Sequence, residues 1–318
     1  MASGVDVLRR VQRTAAYAVV RDATGAHLLV RASRRSDFAG RWGLPGGGVG
    51  HGEHPQAALL REVAEETGLA IAVTGVRDAV ADVYDLPHRG VSVHTIRLLF
   101  DAELSDPDAV PRPEVDGTSD RAQFVSREDA AGLTLLPYVA DLMGLPVERP
   151  VPTVPMRPEP LGGTADVHLD GAPEGGRPVP MQRAAAYAVL RDGDRVLLTH
   201  LTGSGGLWTL PGGGIDHGED PAVALRREVH EETGLPFTPG RLRHVSSRRF
   251  TGRAPSGRLE DFHGIRLIYD GAVPTDVPPT VIEVDGTTDV AAWVRLGDLS
   301  GMRLSGVVRI GLDSVGPH

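Results

Sequence analysis

Six glutamates, arranged as two identically spaced trios, are the residues of this chain best placed to do chemistry. Each trio follows a glycine-rich stretch, and the members are Glu62, Glu65 and Glu66 in the first half and Glu228, Glu231 and Glu232 in the second. On a helix that turns by about 100° per residue, the three carboxylates of a trio share one face. Like charges this close oppose ionisation, so the spacing indicates that a cation binds between them.

The available donor types narrow the choice of cation. The chain contains no cysteine, so a metal must be held by oxygen or imidazole. Carboxylate and carbonyl oxygens favour Mg²⁺ or Mn²⁺ over Zn²⁺. Arg61 with Glu53 could clamp one carboxylate of the first trio, and Arg227 with Glu219 repeats the arrangement. The competing interpretation is a solvated acidic helix face, which the perfect repetition disfavours.

The two trios belong to one long pattern that occurs twice. The string G x5 E x7 R E V x E E T G L spans Gly47–Leu69 and Gly213–Leu235 without a substitution at any defined position. Flanking strings repeat as well, and the loop before Trp208 is four residues shorter than the loop before Trp42. Matching contexts around both copies indicate an internal duplication of a whole domain.

The length of 318 residues agrees with two domains of ordinary size. We predict a first domain over residues 1–145, a linker over 146–180 and a second domain over 181–318. The linker is crowded with proline and glycine and shows neither helical nor strand periodicity. A passive tether is the favoured interpretation, and a substrate lid is the alternative.

Local patterns predict an α/β sandwich in each half. The glycines before each trio predict a loop, Pro55 and Pro221 suit a first helical turn, and Gly68 suits the residue that ends a helix. Helices are therefore expected over Pro55–Thr67 and Pro221–Thr233. The other expected elements are strands over 17–20, 28–31, 95–100, 123–125, 187–190, 196–199, 265–269 and 292–294, and helices over 135–143 and 307–312.

Composition excludes several classes of protein. The formal charge of −9 provides no basic surface for duplex nucleic acid, although all 33 basic residues are arginine, which binds phosphate well. The chain lacks an apolar run of membrane-spanning length and lacks the pattern of a secretory signal. We therefore expect no membrane association and a cytoplasmic location.

The repeated string resembles the Nudix box, and both copies match it fully. The resemblance extends over most of each half, and the flanking Trp-Gly-Leu-Pro-Gly-Gly-Gly is similar to the MutT-like and ADP-ribose pyrophosphatase-like branch. It implies two Nudix α/β/α sandwich domains with mixed β-sheets. It also implies metal-dependent hydrolysis of a diphosphate linkage in a small nucleotide, such as ADP-ribose, a sugar nucleotide, a dinucleotide or an intact or oxidised nucleoside triphosphate.

The resemblance also implies roles for individual residues. Glu65 and Glu66 would bind metal together with the carbonyl of Gly47, and Glu62 would be a further ligand or a proton acceptor. Glu53 and Arg61 would orient these groups. In the second half the corresponding residues are Glu231, Glu232, Gly213, Glu228, Glu219 and Arg227.

Family members often recruit one more acidic residue from a later loop. Asp120 and Asp289 occupy matching positions for this role. The nearby alternatives are Glu114, Asp116, Glu283 and Asp285, and a turn aspartate without a catalytic role is an equal alternative. Arg31 and Arg249 are weak candidates for binding substrate phosphate. In this family, particular residues mark the hydrolases of ADP-ribose and of dinucleoside polyphosphates, but the residues near those positions in this sequence favour neither substrate.

A nucleotide sensor or scaffold without turnover is the alternative function. No helix-turn-helix candidate accompanies the repeats, which disfavours it. Isopentenyl diphosphate isomerase, which has a Nudix-like core, relies on a cysteine that this chain lacks. Because family members are often homodimers, the duplication could supply an intramolecular pseudo-dimer or each chain could pair with a second copy.

Overall fold

A computed structural model of the chain describes residues 7–113, 115–156, 164–166, 177–203, 205–254, 257–282 and 286–316. The chain divides into two units, Met1–Gln182 with Arg249–His263 and Arg183–Arg248 with Gly264–His318. Among the described residues, helices of the length and apolarity needed to cross a bilayer are absent. The domain limits and the linker proposed from the sequence stay predictions.

The first half contains a mixed sheet, a smaller antiparallel sheet and three helices. The elements are β1 (Arg9–Val20), β2 (His27–Ala32), β3 (Trp42–Gly43), β4 (Gly46–Gly48), α1 (Pro55–Thr67), β5 (Ile71–Leu86), β6 (Val91–Leu104), β7 (Ser119–Val125), α2 (Arg127–Ala130), α3 (Pro137–Leu142) and β8 (Thr164–Asp166). The larger sheet has the order β4-β1-β6-β5, with β8 also paired to β1, and the smaller has the order β3-β2-β7. Since β1 runs parallel to β6 and antiparallel to β4, the larger sheet is mixed.

Helix α1 begins and ends where the sequence predicts. Pro55 occupies its first turn, and the ring of His54 accepts a hydrogen bond from the backbone N–H of Gln56. Gly68 ends the helix in the left-handed conformation with φ of 68°, which glycine adopts without a steric penalty. Leu59 and Val63 on the inner face are fully buried. Burial of this apolar stripe fixes the rotation of α1 about its axis, which turns Glu62 and Glu66 toward the glycine strand β4.

The apolar core of the first half lies between the smaller sheet and α3. Val19 of β1, Leu29 of β2 and Leu99 of β6 pack there with Val125 of β7 and Val139 of α3. Because these side chains come from strands of both sheets, the two sheets pack against each other through one apolar core. The glycine strand β4 is held at the edge of the larger sheet through its pairing with β1.

The second half repeats the arrangement. Its elements are β9 (Val179–Val189), β10 (Arg191–Asp192), β11 (Arg195–Leu201), β12 (Leu207–Thr209), β13 (Gly212–Gly214), α4 (Pro221–Thr233), β14 (Thr238–Arg253), β15 (Leu259–Ala272), β16 (Thr288–Arg295), β17 (Arg303–Leu304) and α5 (Gly306–Val315). One sheet has the order β13-β9-β15-β14, and the other has the order β10-β11-β12-β17 with β16 paired to β11. Leu198, Ile268 and Val308 contribute to a separate apolar core.

The α/β fold expected from the sequence is confirmed, but the strand lengths differ. The sequence predicts a strand over residues 17–20, and β1 starts eight residues earlier at Arg9. The long strand β5 carries no simple alternation of apolar and polar residues, because its pairing with β6 shifts register near Gly75 and again near Arg77. At each such irregularity, the side chains that pointed inward begin to point outward. The alternation of apolar and polar residues that would identify a strand in the sequence is therefore interrupted.

Candidate active site

Arg61 organises the carboxylates of the first repeated string. Its Nε and Nη2 atoms donate to the two oxygens of Glu53 at 3.1 Å each. Its Nη1 atom donates to Glu62 Oε1 at 2.7 Å and to Glu65 Oε2 at 3.2 Å, and Nη2 also reaches the carbonyl of Gly48 at 3.3 Å. The planar guanidinium thus joins the glycine strand, the loop and the helix face through one fork.

Glu53 and Glu62 lie in opposite electrostatic environments although they share one arginine. Burial raises the pKa of Glu53, but hydrogen bonds from Arg61 and from the N–H of Gly50 outweigh it and leave that pKa below its ordinary value. Burial also raises the pKa of Glu62, and here the hydrogen bond from Arg61 only partly offsets the effect. Glu53 is therefore held as a carboxylate that orients Arg61, whereas burial favours the protonated form of Glu62.

Glu66 is the most deeply buried member of the first trio, with 6% of its surface exposed. Its Oε2 atom accepts the N–H of Gly46 at 2.9 Å, and its Oε1 atom accepts the hydroxyl of Ser119 at 2.5 Å. Ser119 is not among the site residues predicted from the sequence. A signal was present, because Ser119 stands beside Asp120 in a string that repeats near Thr288.

Close packing requires glycine at two positions of β4. At Gly46, where φ is 140°, an added Cβ would lie 2.7 Å from the Cα of Tyr17. At Gly47 an added Cβ would overlap the carboxylate of Glu62. Glycine therefore lets β4 approach both β1 and the helix carboxylates, which brings the Gly47 backbone to the site.

The second half reproduces this network atom for atom. Arg227 binds Glu219 at 2.9 and 2.8 Å, Glu228 at 2.8 Å and Glu231 at 3.2 Å. The buried Glu232 accepts the N–H of Gly212 at 2.8 Å and the hydroxyl of Thr288 at 2.5 Å. A Cβ added to Gly213 would lie 2.6 Å from the carboxylate of Glu228. The equivalence extends to side-chain hydrogen bonds, not only to the sequence.

The donor set fits a hard divalent cation. Glu62, Glu65 and Glu66 lie on α1 beside the Gly47 backbone, and Nη1 of Arg61 already draws two of the three carboxylates toward one positive charge. In the part of the chain that the structure describes, no three acidic or imidazole groups stand close enough to hold a metal as they are. Metal binding would therefore require the carboxylates to move closer together, and the side chain of Glu65, which is 51% exposed, is the least buried of the three.

The two further acidic candidates are engaged in exposed pairs. Asp120 binds Nε of Arg31 at 2.7 Å, and Asp289 binds Nδ1 of His200 at 2.5 Å. Arg31 and His200 occupy equivalent strand positions, so this pairing is also duplicated. A role for Asp120 and Asp289 in catalysis, or for Arg31 in phosphate binding, would need these pairs to open. Their roles stay predictions.

The remaining candidates lie elsewhere. Arg249 binds Asp261 through two hydrogen bonds of 2.8 and 2.5 Å and is 54% exposed, so its contact with substrate stays a prediction. Asp116 is described with a positive φ of 57°. The alternatives Glu114, Glu283 and Asp285 lie outside the described residues.

A cavity of about 450 Å³ opens against the first carboxylate trio. Its lining includes the carboxylates of Glu62 and Glu66 and the aromatic side chains of Phe38 and Tyr84, which pack edge to face at 4.7 Å. Arginines from several elements complete the lining. The carboxylates of the box therefore face a space large enough for a small phosphorylated molecule.

Comparison with known proteins gives the family. The NUDIX domain model matches residues 11–142 and 181–309, which together make up most of the chain. The chain belongs to the Nudix family, and it contains two Nudix-type domains of mixed α/β structure.

Individual relatives match shorter stretches. A Mycobacterium tuberculosis protein whose name proposes that it is an 8-oxo-dGTP diphosphatase is 48% identical over 71 residues, 22% of this chain and 49% of that protein. The nucleoside triphosphatase NudI of Klebsiella pneumoniae is 34% identical over 116 residues, 35% of this chain and 77% of that protein. Thus the chain spans about half the length of the first of these curated relatives. The crystal structure of a MutT NUDIX hydrolase from Burkholderia pseudomallei is 28% identical, covers 43% of this chain and 99% of its own, and has a TM-score of 0.35.

Proposed function

We propose that the chain is a divalent-metal-dependent hydrolase with two active sites, which splits a diphosphate linkage in a small nucleotide. The observation that carries this proposal is the duplicated network in which Arg61 or Arg227 gathers three glutamates beside a glycine strand. The names of the relatives support the class of substrate, since they refer to hydrolysis of nucleotides. Mg²⁺ is the expected cofactor and Mn²⁺ the alternative.

Glu65, Glu66 and the Gly47 carbonyl would hold the metal in the first half, and Glu62 would be left to accept a proton. A divalent cation at this place would supply Lewis-acid polarisation of the phosphate and activation of water. Glu53 fixes the orientation of Arg61, and Arg61 fixes Oε1 of Glu62. The buried Glu66 is held by Gly46 and Ser119. A preformed arrangement of this kind lowers the reorganisation needed when charge develops on the phosphate.

Glu62 is the residue we assign to accept a proton from the attacking water. Its Oε1 atom takes the hydrogen bond of Arg61, which leaves Oε2 for this task. Burial raises its pKa and so brings its proton affinity closer to the range useful to a general base. Glu228 holds the same position relative to Arg227 in the second half.

Single and double replacements of the buried glutamates test the proposal. Product release from a nucleotide panel with Mg²⁺ is measured for the unaltered chain, for Glu66→Gln, for Glu232→Gln and for both together. Each single variant is expected to retain the activity of the other half. The double variant should lose roughly a hundredfold or more, because metal stabilisation of the transition state is worth several kcal/mol.

The exposed Glu103 on β6 offers a matched control, since Glu103→Gln removes a carboxylate remote from the network and should leave turnover unchanged. Full activity in the double variant would refute the proposed sites. Nucleotide binding by the unaltered chain without any turnover would contradict the hydrolase and support the sensor alternative.

A further inference from the structure

Part of the segment that the sequence predicts as a linker is packed against the first half. Residues 149–156, which we call the strap, include two buried prolines, Pro150 and Pro155, whereas Val151 and Met156 beside them are exposed. Because proline fixes φ near −65° in every state of the chain, the strap loses little conformational freedom when it packs. An unanchored tether would leave both proline rings in solvent.

The strap is hydrogen-bonded to the loop between β2 and β3. The N–H and the hydroxyl of Thr153 both donate to the carbonyl of Asp37, at 2.6 and 3.1 Å. The same hydroxyl oxygen accepts the N–H of Ala39 at 3.3 Å, and the N–H of Met156 donates to the carbonyl of Arg34 at 2.9 Å. Most of these contacts therefore depend on Thr153.

This loop forms part of the lining of the cavity beside the first carboxylates. Four consecutive loop residues, 35–38, belong to that lining. The carboxylate of Asp37 lies 2.7 Å from Nε2 of His88 and accepts Nε of Arg89 at 2.8 Å. Asp37 is thus held through its carbonyl by the strap and through its side chain by the turn between β5 and β6. Among the residues that the structure describes, those of the strap are absent from the lining itself, so the strap would act on a ligand through the loop.

A second contact of the strap involves the aromatic side chains of the cavity. The guanidinium of Arg149 lies 5.2 Å from the centre of the Tyr84 ring, and its Nη2 atom donates to the carbonyl of Val83 at 2.5 Å. The Tyr84 ring also packs edge to face against Phe38 of the loop. Both rings line the cavity, and these contacts restrict them before a ligand arrives, which lowers the entropic cost of binding.

The second half has the same carboxylate network but a shorter loop at the equivalent place. Residues 202–206 separate β11 from β12, four fewer than residues 33–41 between β2 and β3. The two sites thus share the groups to which we assign the chemistry and differ in the loop that the strap holds. The second site is therefore an internal reference for any change made in the strap.

We infer that the strap is part of the first site, where it fixes the loop and the two aromatic rings that line the cavity and so sets how tightly this site binds a nucleotide. This inference rests on the proposed function. The carboxylates of α1 are held by other groups, namely Arg61, Gly46 and Ser119. Loss of the strap therefore weakens binding without slowing the chemical step. Thr153 and Arg149 are positioning residues in this arrangement.

The test replaces the strap by a glycine-serine sequence of the same length, which preserves a tether but removes every contact described above. The replacement is made in a Glu232→Gln background, where the first site works, and in a Glu66→Gln background, where the second site works. With Mg²⁺ and the nucleotide of the panel that is hydrolysed fastest, KM of the first site should rise roughly tenfold or more while kcat stays within about twofold. Both constants of the second site should stay unchanged.

Single substitutions separate positioning from a general loss of fold. Thr153→Val removes the hydroxyl at nearly constant volume and should raise KM of the first site about threefold, whereas Thr153→Ser retains the hydroxyl and should restore the original value. Val154→Ala changes an exposed neighbour in the strap and should have no effect. An unchanged KM after replacement of the whole strap, a loss of kcat alone, or the same rise at both sites would overturn the inference.

Calorimetry with α,β-methylene ADP and Mg²⁺ separates this inference from the proposed hydrolase. In the Glu232→Gln background, replacement of the strap should raise the dissociation constant by the same factor as KM. If the unaltered chain bound this analogue and hydrolysed no nucleotide, the hydrolase would be refuted. Weaker binding after replacement of the strap would then still support its role in the first site, and unchanged binding would refute that role as well.

Discussion

At the scale of the residue, the hydroxyls of Ser119 and Thr288 are placed to control the most buried glutamates. Each is itself buried and donates to Glu66 or Glu232 at 2.5 Å. The aspartates next to them, Asp120 and Asp289, instead pair with the half-buried side chains of Arg31 and His200. Adjacent residues on a strand face opposite sides, so the residue next to the predicted one reaches the glutamate.

Ser119→Ala should therefore destabilise the chain by about 1–3 kcal/mol, because it leaves a carboxylate oxygen of Glu66 buried without its donor. Chemical denaturation of the metal-free protein measures the change. Ser119→Thr places the residue of the second half at this position, retains the hydroxyl and should cost far less. Equal destabilisation by alanine and threonine would show that the hydroxyl has no such role.

The buried His27 gives a prediction for pH dependence. Burial lowers its pKa, and the nearby charges of Arg21 and Arg77 lower it further. Its Nε2 atom accepts a hydrogen bond from Nε of Arg21 at 3.0 Å, which requires the ring to be neutral. The unfolded chain consequently binds a proton more readily, so this contribution to stability is complete above the unfolded pKa of roughly 6.5 and falls as the pH decreases below it.

His27→Gln keeps an acceptor for Arg21 but cannot be protonated. We expect the difference in free energy of unfolding between pH 7.5 and pH 5 to be smaller in this variant than in the unaltered chain, as measured by denaturant titration at both values. Other groups titrate in both proteins, and the comparison cancels them. An identical pH dependence would exclude His27 as a contributor.

At the scale of the element, the glycine strands depend on contact between backbones. In β13, Gly212 has a φ of 136°, and an added Cβ would lie 2.7 Å from the Cα of Tyr187 on β9. Two positions further along the same strand, an added Cβ at Gly214 would meet nothing within 4 Å. In this strand, Gly212 thus leaves no room for a side chain, whereas Gly214 does.

Gly212→Ala should lower the free energy of unfolding by about 3 kcal/mol, since it combines backbone strain with a steric clash. Gly214→Ala should stay within about 0.5 kcal/mol of the unaltered chain. Denaturation curves of the two variants give the comparison. A mild effect at Gly212 would mean that β13 can move away from β9 without penalty.

At the scale of the whole molecule, each half buries its own apolar cluster around an equivalent leucine. Leu29 on β2 and Leu198 on β11 are both fully buried, each within the cluster of its own half. The duplication thus extends to the cores that support the two carboxylate networks. The pseudo-dimer and homodimer considered from the sequence stay predictions.

Leu29→Ala is expected to cost about 2–5 kcal/mol in the first half through the cavity it leaves. Activity after mild heating should fall in a Glu232→Gln background, where only the first site works, and persist in a Glu66→Gln background. Leu198→Ala should show the reverse pattern. If either substitution inactivated both sites equally, the cores would not support their sites independently.

The amino-acid sequence alone predicts the duplication, the limits of helices α1 and α4, and the grouping of each glutamate trio on one helix face. These features follow from local geometry, since helical periodicity, proline at the start and glycine at the end act within a few residues. The contacts of Ser119 with Glu66 and of Arg31 with Asp120 depend on the fold, because these residues are far apart in the chain. The fold also places Arg13 in the lining of a cavity, whereas Arg183, at the matching position, is exposed. Identical residue types acquire different roles there because burial and partners depend on loops and neighbouring strands, which the repeated string does not encode.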